Sequence, residues 1–181
     1  SIVSAASVAI DTNTTFQTIR GYGCANFLPP QATPSLRAEL LREMVDEFGI
    51  NRLRLEIPGG NKATERRWEW LNDNFDPQQF DWSGIAFADL DRRVTEVVWP
   101  VKRLVEARGE PFDLYVSPSF FNSGSSGTAP PWLLQSPGEY AEFAMSLLLR
   151  LRDVHGIEAT YYCICNEAGN DNGFTSSVVQ N

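Results

Sequence analysis

The chain is poor in the residues that carry most nucleophilic and metal chemistry. Its 181 residues include one histidine, His155, and three cysteines. A Ser-His-Asp or Cys-His arrangement would have to use His155, and no neighbouring residue recommends it for that role. His155 falls near the end of a helical stretch, where a cation complements the helix dipole. An odd cysteine count does not describe a disulfide framework. Cys163-x-Cys165 lacks the spacing and companions of a zinc site, and no metal or other cofactor is expected. No apolar run approaches the ~20 residues of a membrane-crossing helix, so no membrane partner is expected. Cations are outnumbered, with a formal net charge of −8. That charge would repel a polyphosphate, and nucleic acid is not an expected partner. The chain opens Ser1-Ile2-Val3, without the basic start of a secretory signal. A signal either cleaved or never present leaves the compartment unread, for a chain expected to be soluble.

What is present is a globular composition, 43% hydrophobic and 21% charged, enough for one domain with a sizeable core. Residues 7–10 and 15–19 read as short strands joined by a polar turn, Asp11-Thr-Asn-Thr14. Gly21-Tyr-Gly-Cys-Ala25 reads as a buried strand with room for close backbone approach. A helix follows from Pro34, with Leu36, Leu40, Leu41, Met44, Val45 and Phe48 at helical spacing, and Gly49 stops it. Asn51-Arg-Leu-Arg-Leu-Glu-Ile57 alternates at period two. After a long irregular stretch, 59–88, a second helix is predicted over about 89–107, then a strand at 112–117. A loop rich in Pro, Gly and Ser leads to a third helix, about 137–154, and a last strand, 159–165. Strands alternating with helices predict right-handed crossovers and a parallel sheet.

The alternation also sorts side chains. Leu53, Leu55 and Ile57 belong to one face of their strand, and Arg52, Arg54 and Glu56 to the other. Asp113, Tyr115, Ser117 and Ser119 share a face, as do Tyr161, Cys163, Cys165 and Glu167. Charge on a parallel strand needs partners. Either Arg54 and Glu56 pair structurally, or this face lines a wet cleft. The last strand ends in Cys165-Asn166-Glu167, which would deliver an amide and a carboxylate to the carboxyl-terminal rim, where α/β folds build active sites. Trp68, Trp70, Trp82 and Trp132 lie in polar or Pro/Gly-rich segments, as core filling or as faces for a ligand.

The ordered set Phe16-Gln-Thr-Ile-Arg-Gly-Tyr-Gly23, Ile50-Asn-Arg-Leu-Arg-Leu-Glu-Ile57, Tyr115-Val-Ser-Pro118 with Pro130-Pro-Trp132, and Cys165-Asn-Glu167 resembles the first four strands of glycoside hydrolase family 30. The resemblance runs over roughly 16–170. It implies a retaining glycosidase on a (β/α)-barrel, with a carbohydrate ligand. Glu167 would be the general acid/base, Asn166 would bond the hydroxyl next to the reacting carbon, and Arg54 would orient the nucleophile. Asn61 would hold a sugar hydroxyl, and Trp132 would stack on a sugar or fill the core. The chain also departs from the pattern. Ala168 follows the acid/base where the family usually has Pro, Glu56 stands where it tends to be uncharged, and Phe120 replaces a site Trp. The nucleophile belongs to a seventh strand, which the four read here do not reach.

The fold expected is therefore α/β: half a TIM barrel in one domain, 1–181. It comprises about four parallel core strands alternating with three helices (20–170), an N-terminal β-hairpin (1–19) and a C-terminal tail (171–181). Half a barrel has two open edges, so a homodimer or a complementary half-barrel is the expected partner. In a dimer the partner's third strand would fill the seventh position, ending in Ser117-Pro118-Ser119 with no carboxylate. The second catalytic carboxyl would then be Glu56 or the other copy's Glu167. A carbohydrate-binding or self-associating remnant without turnover is the alternative.

Overall fold

The computed structural model describes residues 7–26, 32–58, 73–74, 76–85, 87–119 and 136–164. Four strands form one parallel sheet in the order β1 (Tyr22–Ala25), β2 (Ile50–Pro58), β3 (Asp113–Ser119) and β4 (Tyr161–Tyr162). Each strand lies beside its neighbour in the chain, and a helix separates each pair. α1 (Pro34–Asp46) joins β1 to β2. A continuous helix joins β2 to β3: α2 (Ala88–Arg93), a π turn (Val94–Val98) and α3 (Trp99–Ala107). α4 (Pro137–Asp153) joins β3 to β4. Among the described residues, no helix is long and apolar enough to cross a membrane.

Local chemistry accounts for the helix limits. Thr33 caps α1 by accepting from the Leu36 N–H, with Pro34 at the start of the helix. Ser136 caps α4 through the Glu139 N–H, again beside a proline. Each helical segment leads into its strand past a glycine of positive φ: Gly49, Gly109 and Gly156. In the π turn the Trp99 N–H donates to the carbonyl of Val94, five residues back. Pro100 follows at once; it lacks an N–H, and its ring would press on the carbonyl of an ordinary turn, so the wider turn accommodates it.

The core lies on one side of the sheet. Leu53, Leu55 and Ile57 of β2 and Leu114 and Val116 of β3 are fully buried against Leu41, Val45, Leu90, Val101 and Leu147 of the helices. A polar clamp fastens α2 to the end of α4. Arg150 grips the Asp91 carboxylate through two hydrogen bonds of 3.0 and 2.6 Å, and His155 Nε2 lies 2.7 Å from the same group. Burial raises the Asp91 pKa, but hydrogen bonds from Arg150 and His155 outweigh it and hold the carboxyl below its usual value. The lone histidine thus serves the packing of two helices.

Three expectations change. Residues 7–20 do not form the N-terminal β-hairpin. The Asp11 turn exists, its carboxylate accepting from the Asn13 N–H and the Thr14 hydroxyl, but neither flank joins a ladder. Val8, Ile10, Phe16 and Ile19 are exposed among the described residues, and an isolated two-stranded ribbon has little to stabilise it. Strand β1 is an edge strand rather than a buried one, since Tyr22 and Gly23 are exposed. At its start the Asn51 side chain replaces part of the ladder, accepting from the Tyr22 N–H and donating to the Arg20 carbonyl. Gly21 leaves room for that side chain: a Cβ there would meet Asn51 Oδ1 at 2.0 Å and push it from its bonds. The last strand, expected over 159–165, pairs with β3 only at Tyr161 and Tyr162 within the described residues.

Candidate functional site

The sheet face away from the core carries the polar side chains, and register brings them together. Arg52 stands opposite Asp113, Arg54 opposite Tyr115, and Glu56 opposite Ser117. Arg52 Nε lies 3.0 Å from Asp113 Oδ2. One level further, Arg54 Nη2 donates to Ser117 Oγ at 3.0 Å, while its Nη1 is 3.4 Å from Glu56 Oε2. The Glu56 side chain is only 8% exposed and Ser117 is fully buried, so the Arg54 charge answers a carboxylate that has lost its water. The pairing and the polar face, alternatives on sequence grounds, therefore coexist.

An open cavity of about 660 Å³ lies on this face, lined by Gly23, Arg52, Arg54, Asp113, Tyr115 and Tyr161. Tyr115 and Tyr161 are neighbours in register, with ring centroids 5.9 Å apart, and both are partly exposed. A hydrogen bond with Cys163 raises the Tyr115 phenol above its ordinary pKa, with the Arg54 charge opposing. The phenol is thus held neutral, able to donate as well as accept. Two aromatic faces beside two guanidiniums and the Asp113 carboxylate give both stacking surface and directed hydrogen bonds.

Of the residues proposed from sequence, Arg54 and Glu56 are brought into contact. Asn61, Trp132, Asn166 and Glu167 lie outside the described residues. Trp82, proposed as core or ligand face, sits edge-on to Phe80 at 4.4 Å and against Phe87. Sequence reasoning missed Asn26, the first residue beyond β1. It is 4% exposed, its N–H donates to the Arg54 carbonyl, and its Oδ1 accepts from the Glu56 N–H. The available signal was its place, a polar residue at the carboxyl end of a strand.

A second polar region joins the β2–α2 connection to the start of α4. Burial, together with the charges of Asp73, Glu139 and Asp76 and a hydrogen bond with Asp73, pushes the Glu142 carboxyl up to about 7. Among the described residues, no group of three or more His, Cys, Asp or Glu could hold a metal ion. Burial also pushes the Cys24 thiol up, which leaves it a poor nucleophile. No family model, curated protein or solved structure matches the chain.

Proposed function

We propose that the chain is a carbohydrate-active half-barrel that acts on O-glycosidic bonds, with Glu167, which follows β4 in the sequence, as general acid/base. The observation that carries this reading is the Arg54–Glu56–Ser117 group at the carboxyl-terminal end of the sheet, on the face that the helices leave open. Sequential strand order supports the half-barrel. Crossovers of one hand between consecutive neighbours keep all helices on one side, as in a barrel, whereas doubly wound sheets reverse direction. The open face would be the lumen, with Asn166, Asn61 and Trp132 contributing to the sugar site around Arg54.

A complete site needs a second wall, from another copy of the chain or from a complementary half-barrel. Retaining chemistry requires two carboxyl groups about 5–5.5 Å apart, and inverting chemistry about 6.5–9.5 Å. Glu56, engaged by Arg54, is suited to binding and charge balance more than to attack. The second reading is a binding or self-associating remnant without turnover. It is favoured by the exposed rings of Tyr22, Tyr115 and Tyr161.

A panel of aryl glycosides, with mass determined by light scattering on the same sample, tests both readings. Release that disappears in Glu167→Gln supports hydrolysis. Sugar binding without release, weakened by Asn166→Ala, supports the remnant. Self-association with neither release nor binding overturns the carbohydrate reading.

A further inference from the structure

The carboxyl end of β1 holds an amide whose orientation is set and whose donor is unused. Strand β1 stops at Ala25, and Asn26 keeps the next ladder bond by donating its main-chain N–H to the Arg54 carbonyl at 3.0 Å. The following bond of a parallel ladder would run from the Glu56 N–H to a main-chain carbonyl of β1. Here the acceptor is the Asn26 side-chain oxygen, at 3.0 Å. Main chain and side chain are therefore both tied to β2, and the amide plane has little freedom left. Asn26 is 4% exposed, yet Nδ2 has no hydrogen-bond partner among the described residues. A buried amide donor left unpaired is costly, and native proteins rarely accept that without a use.

The neighbours narrow what the donor would meet. Asn26 accepts from the Glu56 main-chain N–H, Glu56 stands opposite Ser117, and Arg54 reaches the Glu56 and Ser117 side chains. One level of the sheet thus gathers an amide donor, a carboxylate acceptor and a guanidinium. An anion would meet Glu56 and the chain's net charge of −8. A cation would meet Arg54 and the positive end of the amide. A hydroxyl satisfies the set, because it accepts from an amide while donating to a carboxylate.

We infer that Asn26 is a ligand-binding residue, whose Nδ2 donates to a hydroxyl of a neutral polyhydroxylated ligand at the carboxyl end of β1 and β2. This rests on the carbohydrate reading above and adds β1 to the strands that supply its site. The amide is pre-positioned by the fold, so binding meets little ordering cost at this contact.

The experiment pairs Asn26→Asp with wild type against soluble α- and β-linked gluco-, galacto- and xylo-oligosaccharides. The variant keeps an oxygen to accept from the Glu56 N–H, removes the donor and, when ionised, adds a charge that acidification takes away again. For the sugar that wild type binds best, affinity falls at least tenfold in N26D near neutral pH. It recovers on acidification, when the neutral carboxyl regains an O–H donor. In ¹⁵N-labelled wild type, the Asn26 side-chain amide resonances shift on saturation with the same sugar, a readout that does not depend on the variant folding. Sugar binding by wild type that leaves those resonances unmoved overturns the inference and spares the carbohydrate reading. So does an N26D affinity equal to wild type, or a loss that acid does not restore. Failure of wild type to bind any sugar of the panel overturns the reading and the inference together.

Discussion

Replacing Glu142 by glutamine should flatten the pH dependence of stability and raise stability in mild alkali. Glu142 lies among Asp73, Asp76 and Glu139, and its carboxyl is pushed from an ordinary 4.5 to about 7. The folded state therefore keeps a proton that the unfolded chain releases. Below the ordinary value both states are protonated and the contribution is whole. As pH rises towards the folded value the unfolded state binds fewer protons, so stability falls, and the loss is complete above it. At full strength that gap would correspond to about 3 kcal/mol. Glu142 is partly exposed, and solvent screening reduces the expected loss to the order of 1 kcal/mol. Glutamine has the same shape, carries no charge and can still donate to Asp73. Urea unfolding of wild type and E142Q, repeated from about pH 5 to about pH 8, reads the difference directly. The two stabilities should diverge as pH rises, with E142Q the more stable in alkali. Parallel curves across that range would refute the reasoning.

Three further outcomes follow from the packing. Arg54→Met should lower unfolding free energy by about 3 kcal/mol, because it strands the buried Glu56 carboxylate, and adding Glu56→Gln should recover much of it; a double-mutant cycle checks the coupling. Gly156→Ala should cost about 1–2 kcal/mol through its φ of 62° alone, since no atom lies within 4 Å of the added Cβ, and the urea midpoint reads it. Leu55→Ala should cost about 2–5 kcal/mol by leaving a cavity at a fully buried site, visible as a lower midpoint with an unchanged denaturant slope.

Much of this architecture could be read from residue patterns, because burial obeys periodicity. The alternation of Leu53, Leu55 and Ile57 with Arg52, Arg54 and Glu56 foretold which face of β2 meets the helices, and Pro34, Gly49, Gly109 and Gly156 marked helix limits. The N-terminal hairpin is not seen in residues 7–20, because Val8, Ile10, Phe16 and Ile19 carry strand-forming character that no described neighbour answers. Pairing depends on a partner that a local pattern does not contain. The site was half legible. Charges on a parallel strand announced Arg54 and Glu56, but their tie to Ser117 spans 63 positions in the chain and depends on register. Asn26 escaped because an isolated asparagine after a short strand looks like any loop residue. The Glu142 cluster escaped because it joins the β2–α2 connection to the start of α4, far apart in sequence.

The strand order has a consequence for how the molecule comes apart. Among the described residues β2 and β3 share seven register pairs over the core, β1 meets β2 in four with a slip at Tyr22, and β4 meets β3 in two. With strands laid down in chain order, each added strand can dock on an edge already present, and loss can run backwards from either edge. Native-state hydrogen exchange should therefore resolve the sheet into layers of differing protection. The amides of β4 and of the start of β1 would exchange through small local openings. Those of Leu55 and Val116 would wait for global unfolding, because they are fully buried at the centre of the ladder.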